Sequence, residues 1–250
     1  MRRLAFLLLG LAALAVSADE APPKVRVLLL SGQNNHDWRH TTPVLRDMLA
    51  ATGRFAVTIA ERPDQLTAAS FADCDVILSN WNDFGAGKGA VTDWPAPVKT
   101  AYVEAVRGGK GHVVVHAGSA SFPDWDDYQK ICLATWGKGT NHGPIHEFEV
   151  RMEPLDHPVT KGMAGFKTRD ELWNHPAARP EATVLASSFS AQGTGGADTW
   201  EPTALAGVFG QGRCFTLLLG HDASGMGRAE FQRLLARGVE WAATGKVTVP

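Results

Sequence analysis

Apolar residues in this chain gather in short runs separated by polar turns. Val25 to Leu30 is a run of the kind that a strand buried on both faces requires. A polar stretch, Ser31 to His40, follows. Thr42 with Pro43 then has the form of a helix start, and Val44, Leu45, Met48 and Leu49 share one helical face up to Gly53. Phe55 to Ile59 and Val76 to Leu78 predict two more strands. Ala96 to Arg107 predicts a helix closed by Gly108-Gly109, and His112 to Val115 a fourth strand. This alternation of strand and helix implies an α/β fold: a three-layer, doubly wound, mostly parallel sheet with helices on both faces.

The second half reads less regularly. Trp125 to Leu133 predicts a helix, and the alternation of Phe148, Val150 and Met152 with charged residues predicts a half-exposed strand. Residues 189–203 are rich in Gly, Ser and Thr and read as a surface loop. Gly210-Gln211-Gly212-Arg213 between two apolar runs signals a hairpin. Phe231, Leu234, Leu235, Gly238, Val239 and Ala242 mark the buried face of a last helix. With no internal repeat and no long linker, residues 19–250 are expected to form one domain.

The first residues carry a different signal. Arg2 and Arg3 precede the apolar run Leu4 to Val16, and Val16-Ser17-Ala18 has the small residues of a cleavage site. Residues 1–18 are therefore expected to be a signal peptide, with the mature protein periplasmic or secreted and free of the membrane. A net charge of −2 with both signs interspersed gives no basic surface for nucleic acid. The three cysteines, Cys74, Cys132 and Cys214, are widely spaced in apolar contexts, which suits buried thiols better than a disulfide framework. Nothing in the sequence opposes a homo-oligomer.

Ligands of open parallel sheets bind beyond the carboxyl ends of the strands. Polar residues collect at those positions here. Asn35, His36 and Asp37 follow the first strand, Asn82 and Asp83 the third, His116 the fourth, and His221-Asp222 the run ending at Leu219. His116 stands at the strand-to-helix turn where this kind of fold carries a nucleophile, and an imidazole there can serve as general base or metal ligand. A helix amino end following that turn would keep the imidazole neutral. His142 and His146 cannot form a helical zinc pair because Gly143-Pro144 lies between them, although His142 could reach a site from its loop. Glu171 is a candidate acid or base. His116, Glu171 and His221 are the catalytic candidates. His116, His142 and His221 are the candidate ligands for a divalent metal, the one cofactor these residues suggest.

Eight tryptophans against two tyrosines is an unusual balance. Aromatic faces match the C–H faces of sugars, and amides and carboxylates bond their hydroxyls. A carbohydrate-sized ligand would thus suit Trp81 beside Asn80 and Asn82, and Trp38 beside Asp37. Asn35, His36, Asp37, Trp81, Asn82, Trp125 and Asp222 are the candidate binding residues for such a small molecule.

Several motifs together are similar to the ThuA-like (trehalose-utilisation) family, of the class I glutamine amidotransferase-like fold. They are Ser31-Gly32-Gln33-Asn34-Asn35-His36-Asp37-Trp38, Val115-His116-Ala117, Trp125-Asp126-Asp127-Tyr128, His157-Pro158-Val159-Thr160-Lys161-Gly162, Asp170-Glu171-Leu172, Gly220-His221-Asp222 and Glu240-Trp241-Ala242-Ala243-Thr244-Gly245. The resemblance implies a role in carbohydrate use beside oxidoreductases that make 3-keto sugars, and hence acid/base chemistry on a sugar or 3-keto glycoside. A non-catalytic sugar-binding or sensing module is the alternative. Glutamine amidotransfer is excluded because no cysteine stands near the turn at His116. Where the family usually has Tyr after Asp-Glu-Leu, this chain has Trp173.

Overall fold

The computed structural model describes residues 23–85 and 87–250. The expected signal peptide and its cleavage site lie outside these residues. Strands β1 (Val25–Leu30), β2 (Phe55–Ala60), β3 (Val76–Ser79), β4 (Gly111–Val115), β5 (His146–Met152), β6 (Phe166–Asp170), β7 (Thr183–Ser190), β8 (Thr199–Phe209) and β9 (Gly212–Leu217) form one nine-stranded sheet, in the order β2-β1-β3-β4-β9-β8-β7-β5-β6. The half from β2 to β9 is parallel, and the half from β9 to β6 is antiparallel.

The parallel half is sandwiched between helices, and its side chains show it. Val25, Val27 and Leu29 of β1 point into one apolar cluster, whereas Leu28 and Leu30 point into the other. β4 divides likewise, with Val113 and Val115 on one side and Val114 on the other. The first cluster is closed by α1 (Trp38–Ala51) and α5 (Ala229–Thr244) through Leu45, Leu49, Leu234, Leu235 and Val239. The second is closed by α2 (Ala68–Ala72), α3 (Ala96–Arg107) and α4 (Asp126–Ile131) through Phe71, Val98, Tyr102, Tyr128 and Ile131. Each fully buried aliphatic side chain contributes about 1.5–3 kcal/mol, so both layers are held by the strands' alternate faces. Helix α5 lies close on the sheet because Gly238 has no side chain; a Cβ there would fall 2.2 Å from the Phe215 ring.

Two expectations need correction. The first helix begins at Trp38 with Asp37 as its N-cap residue, so Thr42 is not the cap, and Pro43 lies inside the helix. The first turn closes through Asp37 O, which accepts from the amides of His40 and Thr41, before the missing N–H of Pro43 matters. The loop expected over 189–203 is shorter and spans 191–198, since β7 extends to Ser190 and β8 starts at Thr199. The polar residues on either side of it sit inside the sheet because their hydroxyls find partners: Thr203 Oγ1 donates to Ser188 Oγ at 2.7 Å, and Ser190 Oγ to Thr199 O at 3.1 Å. Among the described residues, no helix is long and apolar enough to cross a membrane.

Candidate functional site

The polar clusters at the ends of β1, β3, β4 and β9 do converge. The ring centroids of His36 and His116 are 5.1 Å apart, those of His36 and His221 4.3 Å, and those of His116 and His221 5.6 Å. The antiparallel half adds Glu171, one residue past the end of β6, as the centre of the group. Its Oε2 lies 3.3 Å from His116 Nε2, and its Oε1 lies 3.3 Å from His142 Nδ1 and 3.6 Å from His221 Nε2.

Local backbone builds this cluster. His116 closes β4 with φ of 42°, a left-handed conformation that costs a non-glycine residue about 1–2 kcal/mol. The following turn is a five-residue 3-10 segment, His116–Ala120. It packs tightly, since a Cβ on Gly118 would come within 2.7 Å of Ser79 O. Ser119 Oγ and Tyr128 OH each donate to a carbonyl of this turn at 2.8 Å. The bend turns the imidazole of His116 back across the end of the sheet, where Nδ1 donates to Leu218 O at 2.7 Å.

Asp170 joins the two halves of the site. Its Oδ1 accepts from the amides of Glu171 (2.8 Å) and His221 (3.0 Å), and its Oδ2 from that of Gly220 (2.7 Å). One buried carboxylate thus holds the catalytic candidates Glu171 and His221 in a fixed relation. The clamp role of Asp170 is not legible in the sequence, because an acidic residue beside Glu171 gives no sign that it turns inward; the downstream glycine at 220, which bares an amide, is the one local hint.

Burial and charge set the proton affinities. His36 loses water and faces two other imidazoles, which lowers its pKa to about 3. His116 is also desolvated, but the Glu171 carboxylate, the charge of Asp170 and the Leu218 carbonyl outweigh that loss and raise its pKa above the usual histidine value. Desolvation would raise Glu171, yet the contact with His116 and the nearby His142 and His221 hold it down to about 2. Two features stand against the neutral His116 expected from the sequence: no long helix follows the turn, and a carboxylate 3.3 Å away favours positive charge beside this ring.

A cavity of about 140 Å³ opens at this cluster, lined by Asn35, His36, Phe84, Ala117, Ala120, Trp136, His142, Glu171 and Trp173. His116 is 1% exposed and lies against Trp173, with ring centroids 5.3 Å apart. The other candidate positions are distributed differently. Asn82 is buried behind the cavity wall, where its Nδ2 donates to Asn35 Oδ1 at 2.6 Å and to Ala117 O at 3.0 Å, so it shapes the loops. Asp37 is exposed and pairs with His40 at 2.5 Å, away from the cavity. Trp81 is 1% exposed and stacked on Phe122, so it has no free face for a sugar. Trp125 stacks on Tyr128 and lines a separate cleft with Lys99 and Asp124. Asp222 caps the short helix Ala223–Met226 by accepting from Gly225 N at 2.8 Å, with its other oxygen 3.9 Å from His221 Nδ1. The aromatic walls come instead from Trp136, Trp173 and Phe84. Trp136 lies in a stretch that reads as loop in the sequence, and only tertiary packing brings it to the histidines.

The profile of the ThuA family, described as trehalose utilisation, matches residues 26–242. No protein with a curated description matches the chain in sequence. Among solved structures, a ThuA-like protein from Parabacteroides merdae superposes with a TM-score of 0.79 at 28% identity, covering 90% of this chain and 92% of that one. A second ThuA-like protein, from Bacteroides uniformis, gives 0.66 at 16% identity, with coverage of 93% and 95%. A GMP synthase-type protein from Thermoplasma acidophilum gives 0.52 at 10% identity over 89% and 96%, a likeness of fold alone. The family match over most of the chain's length, with the structural likeness to a ThuA-like protein beside it, gives the chain a carbohydrate-related role: it belongs to the ThuA, or trehalose-utilisation, family.

Proposed function

We propose that this protein is an exported enzyme that cleaves an oxidised glycoside, a 3-keto sugar derivative, by acid/base chemistry in the cavity at Glu171. The observation that carries the reading is the Glu171 carboxylate, ringed by His116, His142 and His221 within 3.6 Å, at one end of a cavity with aromatic walls. Trp136, Trp173 and Phe84 offer faces to the C–H side of a sugar ring, and Asn35 and the imidazoles offer partners to its hydroxyls. At about 140 Å³ the cavity is smaller than the roughly 300–1,000 Å³ of drug-sized sites, so it takes one ring and leaves the rest of a glycoside outside.

A ketone at C3 acidifies the hydrogen on C2. Removing that proton and breaking the C1–oxygen bond expels the glycosidic oxygen and leaves a carbon–carbon double bond. Glu171, engaged by three imidazoles, orients them toward the cavity and leaves the proton transfers to them. His221 is the proton acceptor. His142, at the mouth, supplies the proton to the departing oxygen. The positive charge concentrated beside His116 steadies the enolate oxygen. Trp173, in place of the family tyrosine, walls the cavity without a hydroxyl, so no step depends on one there.

The test is turnover of 3-keto disaccharides by the purified protein, beside their unoxidised parents. Turnover of the keto compounds is expected, with a loss of about 10²–10⁴-fold for His221→Gln, the usual contribution of a positioned acid or base. Saturable binding of the keto sugar without any turnover would assign the cavity to recognition instead.

A further inference from the structure

We propose that His36, His116 and Glu171 form the binding site of one divalent transition-metal cation, a zinc-type ion with imidazole and carboxylate ligands. This goes beyond the acid/base reading and does not depend on it. Three observations carry it.

The first is proximity. One ring nitrogen from each histidine and one Glu171 oxygen lie within 4.8 Å of one another. Ligands about 2.1 Å from a tetrahedral ion are about 3.4 Å apart. His116 Nε2 and Glu171 Oε2, at 3.3 Å, already have that spacing. His36, half-buried and held only by ring stacking, is the ligand that closes the remaining distance by a small side-chain rotation.

The second is the fixed tautomer of His116. A carbonyl oxygen only accepts, so the 2.7 Å contact with Leu218 O places a hydrogen on Nδ1. In the neutral ring Nε2 then bears a lone pair. That nitrogen is fully buried, has no hydrogen-bond partner, and faces the oxygen of a carboxylate. Two acceptors turned toward each other in a dry site repel unless a cation lies between them. Donation of the far ring nitrogen to a backbone carbonyl is also how metal-bound histidines are commonly oriented.

The third is the donor set and its open side. Two imidazoles and one carboxylate suit zinc and its first-row neighbours, whereas magnesium and calcium take oxygen shells. His36 and Glu171 both line the cavity, so the ion would keep a position facing it, as catalytic zinc sites do. His142 and His221, read from the sequence as ligands, contact the other carboxylate oxygen, Oε1, and lie outside the triad.

The rival occupant of the gap is a proton, which would make His116–Glu171 a simple ion pair. Calorimetric titration of the chelator-treated, purified protein distinguishes the two without any turnover assay. One Zn2+ per chain with micromolar or tighter affinity is expected, no saturable Mg2+ binding, and visible absorption bands on loading with Co2+. Zn2+ should raise the melting temperature of the parent protein. Glu171→Gln and His36→Gln should each weaken Zn2+ binding at least about 100-fold, more than loss of an outer-shell partner does. His40→Gln, at an exposed position paired with Asp37, should leave it unchanged. His36 is the least buried of the three, so if Glu171→Gln fails to fold, the His36→Gln variant decides the matter. Absence of Zn2+ binding by the parent, or equal binding by His36→Gln, would overturn the proposal.

Discussion

Replacing Asp170 by Asn tests how the two halves of the site are held together. The carboxylate accepts three backbone N–H groups, from Glu171 and His221 on Oδ1 and from Gly220 on Oδ2. An amide retains one acceptor. If its oxygen keeps the first two bonds, its NH2 meets the Gly220 N–H at a distance of 2.7 Å, donor against donor. A buried donor without a partner costs about 1–3 kcal/mol, and the two surviving bonds each fall from charge-assisted to neutral strength, about 1 kcal/mol apiece. With some relaxation of the loop, a loss of about 2–4 kcal/mol is expected. Urea unfolding followed by tryptophan fluorescence would read it as a lower midpoint at unchanged slope. The loop that moves carries His221, so ligand binding or turnover should also fall under conditions where the variant is still folded. A variant within about 0.5 kcal/mol of the parent, the range of ordinary surface changes, would show that these amides are satisfied otherwise and that Asp170 is not the clamp.

Three further outcomes follow from the same geometry. Buried His112, on β4 against Tyr102, is held neutral by desolvation with its pKa lowered to about 3. The unfolded chain binds that proton from about pH 6.5 downward and the folded chain does not, so stability should fall as pH drops from about 6.5 to 3, by roughly 1.4 kcal/mol per unit for this group; His36 acts in the same direction, and urea-derived stability that stays level between pH 6 and 4 would refute the assignment. Gly220→Ala should cost about 2–4 kcal/mol, because φ is +103° and the new Cβ would lie 2.8 Å from the Phe231 ring, whereas Gly53→Ala, with φ of +73° and open space around it, should cost about 1 kcal/mol; equal melting temperatures for the two variants would contradict this. Burial pushes Cys74 up to about 11, Cys214 up to about 12, and Cys132 well above the usual thiol range; the native protein should therefore resist thiol reagents at neutral pH and release no ammonia from glutamine, and thiol-sensitive ammonia release would be the contrary result.

What the linear sequence determines here is the parallel half of the molecule and the positions from which the site is built. Buried parallel strands need uninterrupted apolar runs, so Val76 to Leu78 and His112 to Val115 announce themselves, and the residues that follow each run must lie where the ligand crevice forms. His36, His116 and His221 were legible for that reason. The antiparallel half was less so. Serines and threonines of β7 and β8 look like loop until cross-strand partners bury them, and such partners exist only once the sheet is assembled. The surroundings of His116 are hidden on the same ground: local sequence places it at a turn, but Glu171, far along the chain, comes within 3.3 Å and favours positive charge there. Aromatic residues carry least positional information of all. Any tryptophan near the end of an element can face a ligand or fill the core, and burial of the surrounding surface decides which. Trp81 went inward to stack on Phe122, while Trp136 and Trp173 came together from distant segments to wall the cavity. Periodicity is a property of neighbours along the chain and so can be read from it; proton affinity and cavity shape belong to neighbours in space, and only the folded packing sets them.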